Sequence, residues 1–232
     1  MHEGNLRKHR MNKFKIIISL LLLTVTALAL NGQEPVTSVE TSSKVVALTF
    51  DDGPKPEITK QFLDLFEKEK IKVTFFNIGK NVEAHPEITK TVIEKGHEIG
   101  NHSYSHPKLP ELKDSLEIME EIERVQKYFT TEFNYIPTLF RAPYLQYDKR
   151  VLNILKKNNL IMISANLFQK DAKPDVSPDS IIKKVLTNVK SGSIILGHER
   201  EHTVAAMKTI IPELKKRGFR FVTVSELLSY GK

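Results

Sequence analysis

The chain has 232 residues, of which 40% are hydrophobic and 27% are charged, as in an ordinary soluble globular protein. This length fits one domain of roughly 200 residues after an N-terminal segment, and such a domain can bury a large core. The sequence contains no cysteine, which excludes a disulfide framework, a thiolate nucleophile, a cysteine metal site and a lipid anchor on an N-terminal cysteine.

The formal net charge of +7 is concentrated at the N-terminus. Residues 1–30 carry a net charge of +4, which leaves +3 for residues 31–232. This remainder is too small to indicate a nucleic-acid partner, although a mildly basic surface is compatible with an acidic polymer such as a cell wall.

The N-terminal segment has the pattern of an export signal. Basic residues up to Lys15 precede the uncharged, largely apolar stretch 16–30, and the sequence Ala-Leu-Ala at 27–29 has cleavage spacing. The stretch is shorter than the ~20 residues of a membrane-spanning helix. We therefore expect residues 1–30 to be a signal peptide or an uncleaved signal anchor, and either one places the domain outside the cytoplasm. Residues 31–43 lack an apolar period and are expected to form a linker.

The rest of the chain alternates strand-like and helix-like patterns. Short apolar runs predict seven strands, at residues 45–48, 71–77, 97–101, 139–140, 160–164, 193–196 and 219–224. Helical spacing of apolar residues predicts helices at 57–70, 81–95, 111–129, 148–158, 177–189, 203–217 and 225–228. Ser177 and Pro178 are typical of a cap and a first helical residue. Apolar strands separated by helices indicate a parallel sheet covered on the outside, in a barrel or an open doubly wound sheet.

Polar residues at the ends of the predicted strands favour the barrel. The residues that share this position are Asp51, Asp52, Asn101, His102, Arg141 and His198. In a (β/α) barrel, active groups gather at the carboxyl ends of many different strands. We therefore predict a single α/β domain at residues 44–230, built as a (β/α) barrel with about seven parallel strands.

The first predicted strand stops at two adjacent carboxylates in the sequence TFDDGP, residues 49–54. Adjacent side chains on a strand point to opposite faces, so Asp51 and Asp52 reach one pocket only if the strand ends there. The alternative is an ordinary Asp-Gly-Pro turn, in which the aspartate accepts backbone hydrogen bonds.

Two histidines, His102 and His106, stand four residues apart in the sequence HSYSH. If the loop makes one helical turn, both imidazoles reach a single ion, and two ordinary loop histidines are the alternative. One aspartate from TFDDGP would complete three protein ligands with an open position, which is the pattern of a catalytic zinc site. The other aspartate is then placed beside the water as a base.

Three further polar residues belong to separate clusters. Arg141, in FRAPY, ends a strand near the two aspartates and can keep a base carboxylate ionised, whereas the alternative is a surface arginine before a proline. Asp171 stands in a polar loop that by itself predicts only solvent exposure. His198 ends an apolar strand, where histidines are more often structural, but its proton suits a general acid.

The clusters resemble, in order, the five motifs of the polysaccharide deacetylase family, also called the NodB homology domain or carbohydrate esterase family 4. The matching sequences are TFDDGP at 49–54, HSYSH at 102–106, RAPY at 141–144, Asp171, and LGH at 196–198, and the resemblance covers residues 44–230. It implies a distorted (β/α) barrel of about seven or eight strands and a metal-dependent deacetylase.

The resemblance also implies a role for individual residues. Asp51 would be the general base, and Arg141 would position it. Asp52, His102 and His106 would be the ligands of a divalent metal, with zinc expected and cobalt or nickel as alternatives, since oxygen and imidazole donors suit several ions.

The resemblance implies further roles around the substrate. The backbone N–H of Tyr144 would help to hold the oxyanion, and Leu196 would line the pocket for the acetyl methyl group. His198 would protonate the leaving amine, with Asp171 tuning it.

The chain departs from the family pattern around the fourth motif. Ala172 follows Asp171, and Lys170 precedes it, at positions where relatives are often aromatic. This departure leaves one wall of the substrate groove undefined and leaves Asp175 as an alternative to Asp171. A milder departure is Arg-Ala-Pro in place of Arg-Pro-Pro.

We therefore expect a monomeric, secreted or membrane-tethered deacetylase of an acetylated cell-wall glycan, with N-acetylglucosamine of peptidoglycan as its substrate. The alternatives are chitin oligomers, muramic acid residues or acetylxylan as substrate. A barrel that binds glycan without turnover is an alternative of another class.

Overall fold

Parallel strands alternate with helices in the computed structural model, which describes residues 34–231. The strands are β1 (Val45–Gly53), β2 (Thr74–Asn77), β3 (Glu98–Asn101), β4 (Leu139–Phe140), β5 (Ile161–Met162), β6 (Leu167–Phe168), β7 (Ile194–His198) and β8 (Arg220–Phe221). The helices are α1 (Pro56–Glu69), α2 (Gly79–Ala84), α3 (Pro86–Glu94), α4 (Ser115–Phe133), α5 (Lys149–Lys157), α6 (Pro178–Asn188), α7 (Glu201–Lys216) and α8 (Val224–Leu228). Single 3₁₀ turns occur at Leu109–Glu111 and Pro143–Leu145.

The strands form one curled sheet in the order β5-β4-β3-β2-β1-β7-β6, and β8 pairs with the start of β1. Every pairing between these strands is parallel. The carboxyl ends of the strands therefore lie along one edge of the sheet. This curled half-barrel with helices confirms the predicted distorted (β/α) barrel.

Alternate residues of β1 face two different hydrophobic cores. Even-numbered residues from Val46 to Phe50 pack with buried residues of α1 and α7, whereas Val45 and Ala47 belong to the core on the other face of the sheet. The same alternation places Asp51 on the inner face, where the barrel interior opens at the strand ends.

One predicted helix is divided in the structure, and one strand of the structure was not predicted. The helix predicted at 81–95 is two helices, α2 and α3, because Pro86 cannot donate a helical hydrogen bond and instead begins α3 after His85. The sequence analysis did not predict β6. This edge strand has two residues, pairs only with β7 and leaves Phe168 exposed, so Leu167 and Phe168 do not stand out from the polar loop that follows them.

Part of the expected linker at 31–43 belongs to the folded domain. Val36 forms a parallel bridge with Ile163, and Ser38 forms an antiparallel bridge with Ser193. Val39 is buried in the core that contains Val45 and Ala47. Two valines in a short polar segment are too few to reveal this packing as a period in the sequence.

The predicted signal peptide or signal anchor at 1–30 lies outside the described residues. Within residues 34–231, no helix combines the length and the apolar character that crossing a membrane requires.

Candidate active site

The carboxyl ends of the strands bring together side chains that are far apart in sequence. The site predicted from the sequence is assembled from Asp51 and Asp52 of β1, His102 and His106 after β3, Arg141 after β4, and His198 of β7. His198 is the register partner of Asp51, since β1 and β7 are neighbouring parallel strands. The fold therefore places all these residues at one edge of the sheet.

Asp51 and Asp52 reach the same pocket although β1 continues through both of them. Asp52 has φ 69°, in the left-handed region that aspartate tolerates better than most residues, and the register with β2 shifts between Asp51 and Gly53. Oδ2 of Asp51 lies 4.0 Å from Nε2 of His102, and Oδ1 of Asp52 lies 3.6 Å from the same atom. The local backbone twist, rather than the end of the strand, brings the two carboxylates together.

Asp52, His102 and His106 form a candidate metal site. Oδ1 of Asp52 lies 3.6 Å from Nε2 of His102 and 3.3 Å from Nε2 of His106, and all three donor atoms lie within 4.8 Å of one another. Donors at zinc-ligand distances in tetrahedral geometry would be about 3.4 Å apart, so this set fits one divalent cation. Within residues 34–231 this is the one cluster of three His, Asp or Glu side chains close enough to hold an ion.

The tautomer of neutral His102 is set by the contact of its second ring nitrogen. Nδ1 of His102 lies 2.8 Å from the backbone carbonyl oxygen of Arg141, which can only accept a hydrogen bond. Nδ1 therefore carries the proton, and the lone pair of Nε2 is free to face an ion.

The electrostatics favour an ionised carboxylate at Asp52. Burial raises the pKa of Asp52, but the hydrogen bond and charge of His102, with the charges of His198 and His106, outweigh burial and hold it well below its usual range. Burial and the charge of His102 lower the pKa of His106. Both shifts favour the forms that bind a cation, a carboxylate and a neutral imidazole.

The loop that carries both histidines is not the helical turn expected from their spacing. Ser103 and His106 both have positive φ, at 61° and 64°. The buried side chain of Asn101 holds the loop, because its Oδ1 accepts from Ser103 N at 2.9 Å and its Nδ2 donates to the carbonyl of Ile122 at 2.9 Å. Two residues in left-handed conformations therefore bring the imidazoles together, with ring centroids 4.9 Å apart.

Arg141 is a buried residue and not the surface arginine that was the alternative. Its Nη1 donates to Oδ1 of Asp51 at 2.7 Å and to Oγ1 of Thr49 at 2.8 Å. Nη2 donates to the carbonyl of Ser164 at 3.0 Å, and the guanidinium stacks over the ring of Phe76. Burial lowers the pKa of Arg141, although the charge of Asp51 opposes this shift. The interior of the barrel therefore holds a fixed cation directly against Asp51.

Asp171, and not Asp175, contacts His198. Oδ1 of Asp171 lies 2.8 Å from Nδ1 of His198, and Oδ2 accepts from His198 N at 2.7 Å and from Thr203 Oγ1 at 2.6 Å. Asp171 is buried, whereas Asp175 is exposed. The polar loop by itself predicts that Asp171 is exposed to solvent. In the structure Asp171 is buried instead, because it contacts the backbone of β7 and the start of α7.

The contact between Asp171 and His198 shifts the pKa values of both groups. Burial lowers the pKa of His198, but the hydrogen bond to Asp171 and the charges of the neighbouring aspartates outweigh burial and raise it. Burial raises the pKa of Asp171, but the hydrogen bond and charge of His198 and the hydroxyl of Thr203 lower it overall. Since Nδ1 donates to Asp171, the Nε2 of a protonated His198 carries the transferable proton.

Tyr144 lies in the 3₁₀ turn after β4, and Leu196 lies on β7. Tyr144 has φ 57° in the 3₁₀ turn, and its exposed ring lies 4.8 Å, centroid to centroid, from the ring of His106. The hydrogen bonds that close this turn are donated by the two following residues and do not use the N–H of Tyr144. Leu196 is buried and pairs with Thr49, one inward-facing position before His198.

Two residues of the site, Glu199 and Arg200, were not predicted. Nη2 of Arg200 lies 3.2 Å from Oδ2 of Asp52. Glu199 is buried, and burial raises its pKa to about 7 against hydrogen bonds from Thr59 and from the backbone of Lys55. They are the next two residues after His198, but a charged pair before a helix is ordinary in a sequence, so only the fold distinguishes them.

Comparison with known proteins agrees with this geometry. A sequence model of the family described as polysaccharide deacetylase matches residues 38–163, which is more than half of the chain. The chain belongs to the polysaccharide deacetylase family. The resemblance of the five motifs is therefore confirmed at the level of the family.

Individual polysaccharide deacetylases are similar over most of the chain. The peptidoglycan-N-acetylglucosamine deacetylase of Bacillus cereus is 42% identical over 198 residues, which cover 83% of this chain and 92% of the relative. The chitooligosaccharide deacetylase of Bradyrhizobium sp. is 31% identical and covers 80% of this chain and 91% of its own length. The crystal structure of the Bc1960 peptidoglycan N-acetylglucosamine deacetylase has a TM-score of 0.79 and 35% identity, covering 82% of this chain and 91% of that one.

Proposed function

We propose that the protein is a metal-dependent hydrolase that removes N-acetyl groups from N-acetylglucosamine in peptidoglycan. The observation that carries this proposal is the position of Asp51, bound to the buried Arg141, beside the three donors Asp52, His102 and His106. The family supplies the reaction class, and the names of the similar Bacillus cereus and Bc1960 proteins support the substrate.

Asp52, His102 and His106 would hold the cation. We propose zinc, with cobalt and nickel as alternatives, because one carboxylate and two imidazoles suit all three ions. When bound, the cation supplies Lewis acidity toward the acetyl carbonyl and lowers the pKa of a water molecule.

Asp51 acts as the general base in the proposed reaction. It accepts a proton from the attacking water as the new C–O bond forms, and the guanidinium of Arg141 orients its carboxylate through a 2.7 Å hydrogen bond. The backbone N–H of Tyr144 donates to the developing oxyanion. Leu196 contacts the acetyl methyl group and excludes water from that side of the site.

His198 acts as the general acid. The C–N bond breaks when Nε2 of His198 gives its proton to the departing nitrogen, which yields acetate and a free amino sugar. Asp171 fixes the ring through Nδ1 and stabilises the protonated form before transfer.

The protein is proposed to act outside the cytoplasm, either secreted or tethered to the outer face of the membrane. Residues 1–30 have the pattern of an export signal, and peptidoglycan, the proposed substrate, lies there. A monomer remains our prediction.

The test is acetate release by the purified, zinc-loaded protein from four polymers: peptidoglycan, chitin oligomers, acetylxylan and peptidoglycan lacking N-acetylglucosamine acetyl groups. Amino-sugar analysis of the digested product then distinguishes new glucosamine from new muramic acid. We expect acetate and glucosamine from peptidoglycan. Faster acetate release from another polymer would contradict the proposed substrate. Glycan binding without acetate release would contradict the enzymatic activity and favour a glycan-binding barrel.

A further inference from the structure

The two oxygens of the Asp52 carboxylate have different partners. Oδ1 faces the imidazoles of His102 and His106, at 3.6 and 3.3 Å. Oδ2 accepts a hydrogen bond from Nη2 of Arg200 at 3.2 Å. Only one oxygen of this carboxylate is therefore directed at the histidines.

Arg200 is itself held in place. Its Nη1 donates to the backbone carbonyl oxygen of Glu199 at 3.1 Å, and its side chain is only 27% exposed. The same carbonyl accepts from Nζ of Lys55 at 3.1 Å. The guanidinium thus spans two fixed acceptors, one on the loop after β7 and one on β1.

The peptide that carries Arg200 is anchored by the preceding side chain. Oε2 of the buried Glu199 accepts from the N–H of Lys55 at 3.1 Å and from the hydroxyl of Thr59 on α1. The space around Gly53 is equally restricted, because a Cβ there would lie 2.0 Å from Oε1 of Glu199. These contacts fix the segment before α7 against the segment that follows Asp52.

Asp52 needs such a restraint more than its neighbour does. Its backbone is in the left-handed region, and its side chain is partly accessible, whereas Asp51 is buried against Arg141. A free carboxylate can rotate and exchange its two oxygens, which would change the donor geometry toward the histidines.

We propose that Arg200 is a positioning residue for Asp52, holding Oδ2 so that Oδ1 alone is directed at the metal. The proposal rests on the metal-binding part of the proposed function. Each of the two adjacent aspartates then has its own arginine, Arg141 for Asp51 and Arg200 for Asp52.

A competing electrostatic effect makes the proposal testable. Arg200 is a cation near the site, so on charge alone its removal would strengthen the binding of a divalent cation. If Arg200 positions Asp52, its removal weakens the binding of the metal, because residues that orient a metal ligand typically contribute about 10- to 100-fold in metal affinity. The two effects on metal affinity have opposite signs, and the proposal requires the loss of positioning to be the larger one.

The experiment is calorimetric titration of zinc into the metal-stripped full chain, with Arg200→Met and Arg200→Lys compared with the parent. We expect Arg200→Met to bind zinc about 10- to 100-fold more weakly. Arg200→Lys should also bind more weakly, since an ammonium group lacks the planar fork that reaches both acceptors. Arg217→Met is the control, because Arg217 pairs with Glu213 at the far end of α7 and should leave the zinc affinity unchanged.

Each outcome decides for or against the proposal. Zinc affinity in Arg200→Met that equals or exceeds that of the parent overturns it, and so does a parent-like affinity in Arg200→Lys. If thermal unfolding shows that Arg200→Met does not fold, the lysine variant alone decides. Because the readout is zinc binding, a protein that binds zinc but releases no acetate would overturn the proposed reaction and leave this test intact.

Discussion

Nη1 of Arg141 donates a 2.7 Å hydrogen bond to Oδ1 of Asp51, and both side chains are buried. Removing two charges from water costs free energy, which is offset here by their attraction and by the further hydrogen bonds of Arg141 to Thr49 and to the carbonyl of Ser164. The carboxylate of Asp51 is thereby held in a fixed orientation beside the candidate metal site. This relationship is the physical basis for assigning the base to Asp51.

Asp51→Asn should lose activity without losing the metal. Asparagine cannot accept the proton of water, so we expect the rate of acetate release to fall by ~10² to 10⁴. The zinc affinity should stay near that of the parent, because Asp52, His102 and His106 are unchanged. Asp64→Asn, an exposed carboxylate of α1, is the control. A parent-like rate in Asp51→Asn would show that the base is another group.

Asp171→Asn should move the alkaline limb of the pH–rate profile to lower pH. The hydrogen bond and charge of Asp171 contribute to the raised pKa of His198, and a general acid is active only below its pKa. Without the charge the pKa of His198 falls, so activity is lost at a lower pH as pH rises. The measurement is kcat against pH for the zinc-saturated protein, with Asp175→Asn, an exposed carboxylate in the same loop, as the control. An unmoved limb in Asp171→Asn argues against His198 as the acid.

Buried His97 should make the stability depend on pH. Its Nδ1 accepts from the N–H of Val73 at 3.2 Å, and burial, with the charges of Lys72 and Lys95, lowers its pKa to about 4. The unfolded chain binds a proton as pH falls below about 6.5, whereas the folded protein does so only near 4. Stability is therefore lost as pH falls through this window, by about 3 kcal/mol in total.

The check on His97 is urea unfolding of the metal-free protein at pH 7 and pH 5, with His97→Asn as the comparison. Asparagine offers an acceptor to Val73 but does not titrate. We expect the parent to lose about 2 kcal/mol more than the variant between the two pH values. Equal losses would mean that His97 is not held neutral in the folded protein.

The fold could be predicted from the sequence because its signals are local. Apolar runs mark β1 and β7. Ser177 caps α6 by accepting a hydrogen bond from Ser180 N, and Pro178 is the first helical residue, as predicted. Most members of the candidate site could also be named, because they stand at the carboxyl end of a strand or directly after it. The hydrogen-bond partners of these residues belong to segments that are distant in the chain, so the sequence does not predict them.

Those distant contacts explain what the sequence did not predict. The left-handed backbone of Asp52 and the loop of His106 depend on packing and hydrogen bonds that no periodicity reflects. Arg200 reaches Asp52 across 148 positions of the chain. Asp171 is likewise buried by contacts with β7 and α7, which come later in the chain. The sequence of its own loop therefore predicts solvent exposure.

Metal removal tests the central claim most directly. The purified protein is stripped with a strong chelator, the loss of metal is verified by elemental analysis, and acetate release from peptidoglycan is measured before and after zinc is restored. We expect release to fall with the metal content and to return with zinc in the parent, but not in His102→Ala, which lacks one of the three proposed ligands. A metal-free protein that releases acetate at the rate of the zinc-loaded parent would contradict the account.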